Sequence, residues 1–407
     1  MGDNNPYHIR IGSSGEYLPK EERVDTLWKK NSQSIGIPRE TSANENRIAL
    51  IPDAVKLLTS HGHRVVVEKN AGLNAHFSDH QYSEAGAELT DDTAAVYQCD
   101  IILKIAPPSE EEIQLCDKRR SLISILNMPM RSKEYFQKLM SHRLTALAFE
   151  WIQDKSGGLP IKRSMSEIIG NASVMIAAEY LCHPEYGKGL MLGGFPGLAP
   201  TSVVIIGAGT VAEYAARTAL GMGASVKIFD NSVYKLRNLQ TLVHSRLYTS
   251  TLKPELIGSA LQTADVVIAA KHSPSGLASC LITSEMVSNM KEGSVIIDVS
   301  IDQGGCFETS KPTTHQYPVY RKSGVTHYCV PNIASKVPQT ASTSLSNFFA
   351  PVLLEAGECG GLDNLLKINR PISKGVYVYN GTLTNEQISK IHDLPFQHLE
   401  LMLAAYF

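Results

Sequence analysis

SVVIIGAGTVAEYAARTALGMGASVKIFD, running from Ser202 to Asp230, is the stretch whose reading decides the fold. A run of β-branched residues, Val203 to Ile206, predicts a strand. Gly207, Gly209 and Ala212 then fill the GxGxxG/A pattern, and a helical pattern opens at Thr210. A bare GxGxxG is a weak signal; one that follows a strand and opens a helix has the context that gives it meaning. Gly207 permits the tight turn, Gly209 lets the backbone approach a pyrophosphate, and Ala212 keeps the helix close to the sheet. The helix amino terminus offers N–H donors and the positive end of its dipole to phosphates. The next strand ends in Asp230, about 20 residues on, where a carboxylate takes the adenosine ribose hydroxyls. A carboxylate there repels a 2′-phosphate, so NAD is expected rather than NADP, although Lys235 and Arg237 stand close behind. The alternative is a glycine turn with a capping Asp.

Working outward, ADVVIAA (264–270) and GSVIIDVS (293–300) read as further strands of the same α/β unit. Upstream, a long helix is predicted over Ser164–Leu181. Before it lies a second series: the strand in SIGIPRE from Ser34, a helix from Pro52 to a Gly62 stop, and a strand at Val65–Val67. A helix over Asp91–Gln98, a strand over Asp100–Ile105, and strands at 122–126 and 145–151 around a helix at Ser132–Ser141 complete it. Repeated βα units predict a parallel, doubly wound sheet, so the fold class is α/β. Residues 339–357 read as another long helix, and the C-terminal remainder is expected to pack back on the first unit. The first 33 residues are polar and turn-rich, an arm with one short amphipathic helix near Val24–Lys30.

Composition narrows the function. With 407 residues, two or three domains are expected. A net charge of −2 gives no reason to expect nucleic acid or an anionic membrane as partner. No segment reaches the roughly 18 apolar residues of a membrane span, and the amino terminus lacks an apolar signal core. The 7 cysteines are scattered without a CxxC pair. That argues for a reducing, cytoplasmic setting, against disulfides, and against a metal site. Cys306 reads as a small buried thiol.

From Ser34 onward the chain resembles alanine dehydrogenase and the NAD-binding part of the transhydrogenase alpha subunit. The strings that carry this are IGIPRETSANENRIALIP (35–52), AGLNAHFSD (71–79), RSMSEIIGN (163–171), GLMLGGFPGLAP (189–200), IGAGTVAEYAA (206–216) and IDVSIDQGGCFETSKPTT (297–314). The last of these, with the long C-terminal segment, looks like the alanine dehydrogenase side. The resemblance implies two Rossmann-like doubly wound domains with a cleft between them. An arm (1–33) would precede a substrate domain (34–163 plus 335–407), into which an NAD-binding domain (164–334) is inserted. It further implies a homo-oligomer, a hexamer, and reversible deamination of L-alanine to pyruvate and ammonium with hydride passing to NAD.

Such chemistry needs a cation for the substrate carboxylate, and Arg47 matches the family's arginine; a guanidinium fork suits a carboxylate. A carboxylate should steady the ammonium or imine, and Asp302 matches; Asp298, four positions earlier, reads as a capping group. The resemblance adds Met165 to the substrate side. On the cofactor side it adds Ser166, Thr210, Val211 and Asn332 beside Gly207, Gly209, Ala212 and Asp230.

Two positions depart from the family. Its lysine in a KVKEP-like string is Ala106 here, in KIAPP, and its histidine in an LHL-like string is Asn127, in ILNMP. Neither side chain can carry a proton. Lys104, two residues before Ala106 on a strand, shares its face. It reads either as a cation reaching the same cleft or as a structural one. Three functions follow: an NAD-dependent dehydrogenase of alanine or a related small 2-amino acid; a non-catalytic NAD(H)-binding regulator; or a transhydrogenase-like subunit. Arg47 and Asp302 favour the first.

Overall fold

The computed structural model describes residues 31–128, 131–271 and 280–404. The helix expected near 24–30, and nearly all of the arm, lie outside the described residues. Six parallel strands come first: β1 (Ser34–Ile37), β2 (Arg64–Glu68), β3 (Glu88–Thr90), β4 (Ile101–Leu103), β5 (Ser121–Ser124) and β6 (Thr145–Ala148). The chain leaves this sheet through a long helix, α1 (Pro160–Cys182). It then builds β7 (Ser202–Ile206), α2 (Thr210–Gly221), β8 (Ser225–Phe229), β9 (Tyr248–Ser250), β10 (Val266–Ala269), β11 (Val295–Asp298), β12 (Val319–Lys322) and β13 (Val325–Tyr328). Helix α3 (Pro338–Glu358) brings it back, and β14 (Val376–Tyr379) and β15 (Thr382–Leu383) finish the first sheet. That sheet has 8 strands in the order β15-β14-β6-β5-β4-β1-β2-β3, and the second has 7 in the order β12-β13-β11-β10-β7-β8-β9. Among the described residues the antiparallel pairs are β12 with β13, β14 with β6 and β14 with β15. The molecule is α/β, with two parallel-dominated, doubly wound sheets.

The central strands are mostly apolar and buried because helices cover both faces. VVII of β7 and VIID of β11 are wholly buried, Asp298 included. Helix α1 serves both cores: Ile161 and Met165 belong to the first, Ala172, Val174, Ile176 and Ala177 to the second. Midway, a Cβ on Gly170 would sit 2.5 Å from the Val211 carbonyl oxygen and 2.8 Å from Tyr214 Cβ. Only glycine lets α2 begin this close to α1, so Gly170 sets where the cofactor helix starts.

Boundaries shift from the sequence reading in ways the caps explain. Helix α1 starts a turn earlier than Ser164, with Pro160 in the first turn, where its missing N–H costs nothing. The strand expected over 145–151 stops at Ala148, and Phe149–Trp151 forms a 3₁₀ turn. That turn carries Glu150 beneath the next loop, where it accepts from the Leu126 N–H at 2.9 Å.

Candidate active site

Each sheet reverses its strand order at one point. In the second sheet β7 lies between β8 and β10; in the first, β1 lies between β2 and β4. Ligands of open α/β sheets bind outside the carboxyl ends of strands at such switch points. The loop after β7 holds Gly207 and Gly209. The loops after β1 and β4 hold Arg47 and Ala106.

The glycine loop has the geometry its residues promise. Gly207 has φ +109°, and a Cβ there would lie 2.6 Å from the Ala270 carbonyl oxygen. Gly209 caps α2, and nothing stands within 4 Å of where its Cβ would be, which leaves the helix terminus open to a ligand. Ala212 is fully buried; Thr210 and Val211, in the first turn, are half-buried. Asp230 is partly occupied: one carboxylate oxygen accepts from the Ala208 N–H (2.9 Å), the other from the Ser232 N–H (2.7 Å). A carboxylate has about four lone-pair sites, so room for ribose hydroxyls remains. These residues fit a dinucleotide. Ser166, one residue beyond Met165 on α1, turns its hydroxyl back to the Lys162 carbonyl.

At the other switch point the central group is one that the sequence reading did not single out, Glu45. Its carboxylate forks the Arg47 guanidinium, with Nε–Oε1 at 2.7 Å and Nη2–Oε2 at 2.6 Å. It also accepts from Asn332 Nδ2 at 2.8 Å, and the same amide reaches the Asn44 carbonyl. Arg47 is only 4% exposed, and its Nη1 points to Met165 Sδ at 3.5 Å. One edge of the guanidinium fork is held by Glu45, and the Nη1 edge is left beside Met165. Asn332, with φ +62°, makes its side-chain contacts to the first domain and so ties the exit of the second sheet to the Arg47 loop.

Ala106 sits on the rim of the same site. Its N–H donates to Glu40 (3.2 Å), as does that of Ile105 (2.6 Å). Burial pushes the Glu40 carboxyl up to about 7, Lys104 opposing and the charge of Glu45 adding. Lys104 does not reach an open cleft. It is 1% exposed, its ammonium 3.3 Å from Glu40 and 3.2 Å from Glu112. The structural reading of Lys104 is the one its surroundings support, because its three ammonium donors are met by Glu40, Glu112 and the Arg39 carbonyl oxygen at 3.5 Å, which leaves none for a substrate carbonyl. Asn127 is exposed with φ +47°, and its main-chain N–H approaches Glu150 Oε1.

Asp302 lies in the 3₁₀ turn after β11, on the carboxyl edge of the second sheet. It keeps a solvent-exposed edge, yet the protein around it raises its carboxyl above the usual range, with Asp298 adding. Asp298 is buried and fully used, accepting from the Ser300 and Cys306 N–H groups and from Ser310 Oγ. Of the two carboxylates, Asp302 is the exposed one and Asp298 is taken up inside the fold. Cys306 is wholly buried, its thiol pushed up to about 11 by burial, an inert filler. His315, not anticipated from the sequence, has its main-chain N–H on Asn44 Oδ1 at 3.3 Å, beside the Arg47 loop.

A sheet whose glycine loop fits a dinucleotide, linked through α1 and α3 to a second sheet whose switch point buries a guanidinium, has the form of a two-domain, Rossmann-like oxidoreductase. Residues 36–169 match the family model for the N-terminal domain of alanine dehydrogenase/PNT, and residues 173–386 match that for its C-terminal domain. The alanine dehydrogenase of Staphylococcus epidermidis is 38% identical over 368 residues, 90% of this chain and 98% of its own. Alanine dehydrogenase 2 of Staphylococcus aureus is 38% identical over 367 residues, with the same coverages. A solved L-alanine dehydrogenase superposes with TM-score 0.81 at 36% identity, covering 88% of this chain and 99% of that one. A transhydrogenase from Sinorhizobium meliloti shares the fold, with TM-score 0.73 at 24% identity, 87% of this chain and 100% of that one. The chain belongs to the alanine dehydrogenase/PNT family. Enzymes of this family use NAD(H), and the Gly207–Ala212 turn has the form to hold it. Among the described residues no helix is long and apolar enough to cross a membrane.

Proposed function

We propose that this chain is an NAD-dependent dehydrogenase converting L-alanine, or a related small 2-amino acid, to the 2-oxo acid and ammonium, with Ala106 and Asn127 at two positions where the family carries lysine and histidine. The observation that carries the reading is Arg47: a guanidinium held by Glu45 at a switch point, with one edge left beside Met165 for a substrate carboxylate. NAD bound at the glycine loop supplies the hydride acceptor for the substrate Cα. Arg47 fixes the carboxylate, Met165 bounds the small side chain, and Asp302 offers negative charge to the ammonium group. The domain boundaries 34–163 plus 335–407 and 164–334 go with this reading, supported by the return of β14 to β6.

The test is NADH formation from NAD+ with L-alanine, glycine, L-serine and L-2-aminobutyrate, with pyruvate plus ammonium as the reverse assay. Turnover with one of these is expected. NADH binding without turnover of any would overturn the dehydrogenase assignment in favour of a regulatory NAD(H) binder, the reading that the unprotonatable Ala106 and Asn127 favour. We also propose a homo-oligomer, a hexamer. Met175 (60% exposed), Met191, Phe195 and Leu198 leave large apolar surface on the second domain, as interfaces do. Light scattering giving a mass near 44.4 kDa would refute it.

A further inference from the structure

With Asn127 unable to titrate, a proton carrier has to come from elsewhere, and the titratable groups around Arg47 can be taken in turn. Glu45 is forked to Arg47 and to Asn332. Both oxygens of Glu40 accept main-chain N–H groups, and Lys104 is 3.3 Å away. Lys104 is itself held between carboxylates. Lys336 is exposed to solvent.

His315 is different. Its main-chain N–H is pinned to Asn44 Oδ1 at 3.3 Å, next to the Arg47 loop. Both ring nitrogens are buried, and neither makes a well-formed hydrogen bond, although the Asn332 main chain lies beside the ring. A buried, idle imidazole in a native fold calls for an explanation, and a ligand that supplies the missing partner is one. The charged groups that face it are Lys336, Glu45 and Arg47.

We propose that His315 is the proton-transferring catalytic residue of this site, serving the substrate held by Arg47 in place of the family's histidine. The inference rests on the dehydrogenase reading above. The substrate ammonium first loses a proton to solvent, so that hydride leaves Cα of the free amine and an iminium forms. Water then bonds to the iminium carbon and the C=N pair withdraws on to nitrogen, while His315 takes the water proton. The imidazolium returns that proton to the nitrogen. It then takes the hydroxyl proton as the carbonyl forms and ammonia leaves, and ammonia carries that proton away as ammonium. Burial lowers the proton affinity of His315, the Asn332 main chain opposes, and Lys336 lowers it further. The ring is therefore neutral near pH 7, ready to accept.

The test uses the full-length protein and His315→Ala, His315→Gln and Asp302→Asn variants. His315→Ala should lower kcat for alanine at least about 30-fold, flatten the acid limb of the pH profile, and recover with added imidazole. As a readout apart from turnover, pyruvate binding to the NADH complex without ammonium, followed by NADH fluorescence, should tighten as pH falls. His315→Gln should abolish that dependence while leaving NADH affinity unchanged. An active wild type whose rate changes less than twofold in His315→Ala, or whose acid limb vanishes in Asp302→Asn instead, overturns the role of His315 and leaves the dehydrogenase reading standing. An inactive wild type that binds NADH overturns both.

Discussion

Replacing Lys104 by methionine separates a structural lysine from a catalytic one. In the folded chain its ammonium is 1% exposed and lies 3.3 Å from Glu40 and 3.2 Å from Glu112. At an effective dielectric of about 20, each contact is worth about 5 kcal/mol before desolvation is subtracted. Removing one partner of such a cluster, which strands buried carboxylates, costs about 3–5 kcal/mol. Part of that is recovered when a carboxyl takes up a proton, and Glu40 is poised to do so. Its folded pKa of about 7 lies above the ordinary value of 4.5, so its contribution to stability is present below 4.5 and lost as pH rises through 7. Without Lys104 the carboxyl is pushed higher still. The penalty should therefore be smaller at pH 6 than at pH 8, where it should reach about 3 kcal/mol. For a domain of this size that is roughly 6–12 °C in Tm. Thermal unfolding of Lys104→Met at both pH values measures it, and adding Glu112→Gln should restore part of the loss. If Tm moves less than about 2 °C while kcat falls more than about 10², the ammonium takes part in the chemistry and the reasoning fails.

Other outcomes are equally checkable. Ala106→Lys with Asn127→His should raise alanine-dependent NADH formation by about 10² or more in a His315→Ala background, where no other proton carrier remains, non-additively and with NAD affinity unchanged; additive single effects would show that the two do not act as a unit. Asp230 should make NAD(H) bind at least about tenfold more tightly than NADP(H), since a phosphate beside a carboxylate costs roughly 1–3 kcal/mol; calorimetry giving equal affinities would remove that role. His327, wholly buried and 2.8 Å from Thr309 Oγ1, has its pKa lowered by burial from 6.5 to about 4. Its unfolded form binds a proton first, so stability present above pH 6.5 is lost as pH falls toward 4, by up to about 3 kcal/mol. His327→Gln should have a flatter dependence of Tm on pH over that window, and an unchanged slope would count against it.

Much of the architecture was legible because it is local. The Val203–Ile206 strand, the Gly207 turn and the Thr210 helix declare themselves by composition and order alone, and the structure places them as read. The short strands β3, β9, β12 and β15 were not legible. Segments such as ELT and TL carry no period long enough to see, and their pairing comes from a neighbour that is already folded.

The candidate site divides in the same way. From the residues in order come the glycine loop and Asp230; the resemblance adds the arginine at 47, the aspartate at 302 and the two positions read as lacking a titratable group. Tertiary structure alone decided what each of these faces. It turned Lys104 from a cleft candidate into a buried counter-ion, because Glu112, eight residues on, and Glu40, from another strand's loop, converge on it. It made Glu45 the partner of Arg47 and Asn332, and it left the His315 ring without a well-formed hydrogen bond. The physical reason is that backbone preference acts over a few residues, whereas the charge state and availability of a side chain depend on groups brought within about 4 Å from any distance along the chain.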